Sequence, residues 1–435
     1  MRYILLILLL NLSYFTVGQE LARRADLGAS IGFPNGKDAG ATVRNVDPGS
    51  PLDKSGLRPG DVIIKLNQEV IKDPDRWSDI FFDLRADDQL ELLVKRQDQF
   101  LSINAQLRGL PKETYKNTRV LYEMVTTNNG LNIRTIITHP KNMKGKLPAL
   151  FVVGGLSCSS IEVYPGRRVS GWTQVLQDLV TKSGMVVMRM EKPGVGDSNG
   201  NCGQSNFEED ILAFITALKD LKSKNYVDSS KVIIYGSSMG SALAPYLANK
   251  VGVAGVISDG TFVKTWFEHM LEIERRILEF KGNSPSEIME KMNEGYIPLY
   301  YGMLVEKKSY AQVVAEKPWL EEYNYHSPNH MYGRPVKYYH QVQDFNFSKS
   351  WYELKVPVRI IRGTNDWIMS DDDNDMIIAI LDKNGHQDHL LYRYPGLDHW
   401  NMIHEQPIDS FQGKTGKWDD NISQIIIDFA QEMVQ

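Results

Sequence analysis

Apolar residues fall along this chain in two rhythms, and the change between them comes at Leu110-Pro111. Before that joint the apolar runs are short and punctuated by turn residues. Thr42-Val43-Arg44-Asn45-Val46 alternates with the period of a strand, Gly60-Asp61 turns into the β-branched run Val62-Ile63-Ile64, and residues 89–95 predict a closing strand. Pro51 suits the first turn of a short helix and Gly56 its stop, and residues 75–84 predict a second helix. After the joint, continuous apolar runs at 149–153, 185–190, 232–235 and 253–258 alternate with helical patterns such as 207–221. Two earlier strands, 120–125 and 131–137, meet through Asn128-Asn129-Gly130, which predicts a hairpin. Unbroken apolar strands separated by helices predict a mostly parallel sheet covered on both faces.

The first residues follow neither rhythm. Met1-Arg2-Tyr3 gives a positive start, Ile4 to Leu10 is wholly apolar, and Thr16-Val17-Gly18 precedes the polar Gln19-Glu20. That order predicts a signal peptide over residues 1–18 and an exported protein, periplasmic or extracellular, with no stable membrane insertion after cleavage. A retained anchor is the alternative, although Asn11 and Ser13 interrupt the run well short of the ~20 apolar residues of a spanning helix. Composition changes little: 42% hydrophobic and 24% charged residues suit a chain of 435 that buries more than one core. A net charge of -5 gives no reason to expect nucleic acid as a partner.

Residues 24–108 form one unit. Its run Asp47-Pro48-Gly49-Ser50-Pro51, then Ser55-Gly56-Leu57, then Arg58-Pro59-Gly60-Asp61-Val62-Ile63 resembles the PDZ family. The resemblance implies a small β-rich domain that captures a peptide or protein C-terminus by strand addition, with backbone N–H groups receiving the carboxylate. Leu27 to Phe33 is the loop placed to do so, and Gly28 and Gly32 both fit the carboxylate position. A spacer that binds no free peptide is the competing reading, because such a motif fixes a fold and not a ligand.

Candidate chemistry lies in the second unit, residues 115–435. Gly236-Ser237-Ser238-Met239-Gly240 holds G-x-S-x-G between an apolar strand and a helical pattern, where glycines permit a turn tight enough to push the serine hydroxyl forward. The pattern alone is weak and occurs twice. Its other copy, Gly196-Asp197-Ser198-Asn199-Gly200, runs into Asn201-Cys202-Gly203 and no helix, so Ser198 is a loop residue and Ser238 the nucleophile candidate. Val358 to Arg362 predicts a late strand, after which Gly363-Thr364-Asn365-Asp366 offers an acid; Asp371, Asp372 and Asp373 lie beyond the turn and suit a helix start. Among nine histidines, His399 alone follows the last strand, in Pro395-Gly396-Leu397-Asp398-His399, with His404 its nearest rival.

A strand-ending serine, acid and histidine in that order, after an antiparallel start, resemble the α/β-hydrolases, and the resemblance covers residues 115–435. It implies the α/β-hydrolase fold, with helices on both faces of a mostly parallel sheet and a helical lid insertion. It implies acyl transfer with Ser238, Asp366 and His399 as a catalytic triad. Met239 N–H would be one oxyanion donor, and the loop Gly154-Gly155-Leu156 would supply a second, from Leu156 N–H first and Gly155 N–H as the alternative. Glu191-Lys192-Pro193-Gly194-Val195-Gly196-Asp197-Ser198 resembles the family's loop after the fourth strand, so Cys158 and Cys202 would share a rim, and export favours a disulfide between them. Residues 261–350 would be the lid, and their Trp, Tyr and Met residues are expected to cover an apolar acyl or peptide pocket, with packed core as the alternative.

No cofactor and no metal is expected; Pro328 spoils the helical spacing of His326 and His330. The expected substrate is a small-molecule ester, with a peptide as the alternative. A non-catalytic PDZ-type binding protein is a third reading, and a complete triad speaks against it.

Overall fold

The computed structural model describes residues 20–33, 40–166, 169–326 and 329–435, without the side chain of Asp75. The expected signal peptide and its cleavage site lie outside the described residues.

The N-terminal unit is a six-stranded antiparallel sheet. Strand Ala29–Gly32 forms one edge, beside Ala41–Val46, Val62–Leu66, Gln89–Arg96 and Gln99–Gln106, with Glu69–Val70 paired to Val62–Leu66. Helix Pro74–Asp83 starts on Asp73, whose side chain accepts the Arg76 N–H, with proline in its first turn. Leu52, Ile63, Leu66, Leu90, Leu92 and Val94 are among its buried core. This is the PDZ domain.

The larger unit is built on eight strands: β1 (Thr118–Thr126), β2 (Asn132–Pro140), β3 (Leu147–Val153), β4 (Val186–Met190), β5 (Val227–Ser237), β6 (Gly255–Asp259), β7 (Val358–Gly363) and β8 (His389–Tyr394). They lie in the order 1-2-4-3-5-6-7-8. β2 runs antiparallel to β1 and β4, and every pairing from β4 to β8 is parallel. Strands β4, β6 and β7 are buried at every residue, so their apolar residues do not alternate with exposed polar ones, and the polar side chains they carry, among them Arg189, Ser258 and Arg359, are buried as well. Side chains still alternate between two cores. Phe151 and Val153 of β3 and Val232 and Ile234 of β5 point to one; Leu150, Val152, Ile233 and Tyr235 point to the other. Helices α2 (Phe207–Ser223), α3 (Met239–Val251) and α5 (Asp371–Lys383) cover the first face, while α1 (Gly171–Lys182) and α6 (Asn421–Glu432) cover the second. This is the α/β-hydrolase fold.

Between β6 and β7 the chain leaves the sheet for a helical insertion that begins with α4 (Trp266–Phe280). Two short π-helical stretches, Met292–Tyr296 and Tyr301–Val305, flank Pro298. Trp266, Met270, Tyr296, Tyr300, Tyr338 and Tyr339 are buried in the same core as the sheet, so these aromatic residues pack the insertion onto the body. Trp319 and Tyr325 are exposed.

The PDZ domain docks on the segments that follow β3 and β4. Arg23 donates to Glu162 at 2.9 Å and to Asp197 at 2.7 Å; Asp197 also accepts the Arg24 N–H at 2.7 Å and Arg134 Nε at 3.1 Å. Asn201 reaches Asp79 of the PDZ helix at 3.3 Å.

Candidate active site

The parallel strands all end at one rim, and three of them deliver a reactive side chain there. Ser238 stands between β5 and α3 with φ 57° and ψ -127°, a conformation that favours glycine. The turn closes because glycines flank it: a Cβ on Gly236 would lie 2.4 Å from Gly240 O, and one on Gly240 would lie 2.2 Å from Val153 O. No other residue fits either place.

Asp366 follows β7. Its Oδ1 accepts the N–H groups of Ile368 at 2.8 Å and Met369 at 3.0 Å, which leaves Oδ2 facing His399 Nδ1 at 2.9 Å. His399 follows β8, and its Nε2 lies 3.0 Å from Ser238 Oγ. With Nδ1 donating to the carboxylate, Nε2 is left to accept from the serine hydroxyl. Burial alone would push the Asp366 carboxyl up, but the His399 charge and hydrogen bond, with Arg362 and the Met369 N–H, hold it down at about 2. Burial likewise opposes a charge on His399; Asp366, aided by Asp259 and Asp398, outweighs it and raises the imidazole above its ordinary value. The arrangement can hold a proton taken from the serine and stabilise it on the ring.

His404 takes another place. Its Nε2 lies 3.2 Å from Asp398 Oδ2, and Asp398 accepts the N–H groups of Trp400 and Met402, so the pair braces the histidine loop. Ser198 is buried, donating to Glu191 O and accepting from the Arg134 N–H. Asp371, Asp372 and Asp373 form the first turn of α5.

Gly155, after β3, packs on the serine: an added Cβ would lie 3.1 Å from Ser238 Cβ. Met239 N–H opens α3, and Leu156 N–H follows Gly155. Among the described residues neither is taken up by another protein group. Cys158 and Cys202 are joined in a disulfide that ties this loop to the one after β4.

One carboxyl escaped the sequence analysis. Asp259, the last residue of β6, gives its carbonyl to the Ser238 N–H at 2.9 Å, and its Oδ2 accepts from Tyr235 Oη at 2.9 Å and Asn401 Nδ2 at 3.1 Å. Burial pushes it up to about 6. A lone Asp at a strand end reads as turn chemistry, so nothing in the sequence marked it.

In the PDZ domain, Gly28 (φ +58°) occupies the turn before the edge strand, where a Cβ would lie 2.2 Å from Ser50 Cβ. Gly32 ends that strand, opposite Thr42, outside the turn.

Residues 167–407 match the family described as serine aminopeptidase, S33, and residues 22–107 match the PDZ domain. The chain belongs to the serine aminopeptidase, S33 family. Esterase EstD of Thermotoga maritima is 22% identical to this S33 chain over 288 residues, 66% of this chain and 61% of that protein. This chain thus matches under two thirds of that relative's length. Among solved structures, an esterase of Pyrococcus furiosus is 14% identical over 75% of this chain and 97% of its own, with a TM-score of 0.44. Acetyl xylan esterase 1 of Thermoanaerobacterium sp. is 15% identical over 75% and 87%, also at 0.44.

Proposed function

We propose that this chain is an exported serine hydrolase that cleaves carboxylic esters through an acyl-enzyme on Ser238. His399 takes the hydroxyl proton as Ser238 attacks the ester carbonyl, then gives that proton to the leaving alcohol. Asp366 fixes the ring's tautomer and stabilises its charged form. The N–H groups of Met239 and Leu156 receive the oxyanion. Water, deprotonated by His399, then releases the acid. The observation that carries this reading is the unbroken line of hydrogen bonds from Asp366 through His399 to Ser238, at 2.9 and 3.0 Å.

Export is supported by the apolar start of the sequence and by the Cys158–Cys202 bond, which suits an oxidising compartment. An aminopeptidase is the second reading, favoured by the family's description and by a PDZ domain able to take a peptide end at the turn of Gly28.

Purified protein offered p-nitrophenyl esters and aminoacyl p-nitroanilides separates the two. The ester reading expects hydrolysis of the esters that vanishes in Ser238→Ala; turnover confined to the anilides gives the answer to the peptidase. A protein inert to both, and unlabelled by a fluorophosphonate, is no serine hydrolase.

A further inference from the structure

Two buried cations stand behind the loop that packs on Ser238, and between them they hold three consecutive carbonyls. Lys192 Nζ donates to Gly155 O at 2.5 Å and to Ser157 O; Arg334 Nε donates to Leu156 O at 2.9 Å. One donor takes the carbonyls of residues 155 and 157 and another that of 156, so the bend after β3 is held by two separate side chains. Cys158, the next residue, is fixed to Cys202. The loop is held at every residue from 155 to 158.

The two cations differ in what offsets their burial. Arg334 has buried partners of its own, Asp210 at 2.6 Å and Ser205 Oγ at 2.6 Å. Lys192 is buried too, yet among the described residues its hydrogen bonds go to the two loop carbonyls and to no carboxylate. Burial, with the neighbouring Arg334 charge, brings its ammonium down to about 7. A methionine of similar length would fill the same space without that desolvation, but it would leave the carbonyls of Gly155 and Ser157 without this donor.

Geometry gives the lysine a task. In a planar trans peptide the carbonyl and the following N–H point in opposite directions. Holding Gly155 O therefore fixes the direction of Leu156 N–H, and Gly155 is the residue that lies against the serine.

We propose that Lys192, backed by Arg334, is a positioning residue for the oxyanion hole: it holds the Gly155–Leu156 peptide so that Leu156 N–H meets the developing oxyanion. The proposal rests on Ser238 being the nucleophile.

The test uses the full chain with p-nitrophenyl acetate and a trifluoromethyl ketone, whose carbonyl takes up the serine oxygen and becomes an oxyanion without a leaving group. Lys192→Met should lower kcat by about 10²-fold, in the range of a lost oxyanion donor, with KM changed by no more than about twofold. Ketone affinity should fall with kcat/KM, and Lys192→Gln, which keeps a neutral donor, should recover part of both. Unchanged kcat in Lys192→Met overturns the proposal. So does a loss seen in KM alone with ketone affinity intact, since a lysine that merely stiffens the loop's fold would give that. Should Lys192→Met not fold, Lys192→Gln decides by the same comparison of ketone with substrate. A parent enzyme with no Ser238-dependent turnover removes the serine-hydrolase reading and this proposal together; an active parent with a fully active Lys192→Met removes this proposal alone.

Discussion

Replacing Ser238 by glycine should abolish turnover and make the protein more stable than replacing it by alanine does. Both substitutions delete the hydroxyl and its contact with His399, so that loss cancels in the comparison. What differs is the backbone. At φ 57° and ψ -127° any residue with a Cβ is strained, at a cost of ~1–3 kcal/mol, and alanine keeps that Cβ. Glycine relieves the strain but loses ~0.5–1 kcal/mol through the greater freedom of its unfolded chain. The balance runs from nil to ~2.5 kcal/mol in favour of Ser238→Gly over Ser238→Ala. An unfolding entropy of ~2.1 cal/mol/K per residue over the roughly 320 residues of the hydrolase unit makes the middle of that range about 2 °C in Tm and its top about 4 °C. Calorimetric scans of both variants at one scan rate and pH measure it. An alanine variant melting at or above the glycine variant would show that the turn stores no such strain.

His399 must be neutral to act as a base, and its carboxylate neighbours raise it above its ordinary value. The activity–pH profile should therefore rise with pH through an apparent pKa above about 6.5; a midpoint below that contradicts the electrostatics. Asp259→Asn removes one of the charges that raise His399 while leaving atoms for Tyr235 and Asn401. Its acid limb should move to lower pH with the plateau little changed, read from the same profile. Arg23→Met leaves the buried Glu162 and Asp197 carboxylates without one of their cations, which should cost about 3 kcal/mol in denaturant unfolding and speed proteolysis at residues 110–117.

The hydrolase strands were legible because burial on both faces leaves apolar stretches such as 149–153 and 232–235 in the central ones, and the reactive side chains because each stands within a few residues of a strand's end. Order within the sheet was not: β3 pairs with β5 across a strand and two helices, a choice made by tertiary packing. Asp259 was hidden for a related reason. Its partner Asn401 lies in a different loop, 142 residues away, and no local pattern joins them. Lys192 sits in a Glu-Lys-Pro-Gly turn that reads as solvent-facing, and Arg334 in the insertion has no spacing that points to Leu156. The aromatic run of the insertion was visible as composition, but whether it lined a pocket or filled a core depended on which face met the sheet. Most of it fills the core.

Because the insertion leaves β6 and returns at its neighbour β7, it resembles a cassette that evolution or an engineer could exchange without touching the sheet. Arg334 makes that exchange costlier than the topology suggests. A transplanted cassette would carry away the guanidinium that anchors Leu156, so a graft chosen for a new specificity would inherit a slack hinge beside the reactive serine unless the donor brought its own arginine to that place.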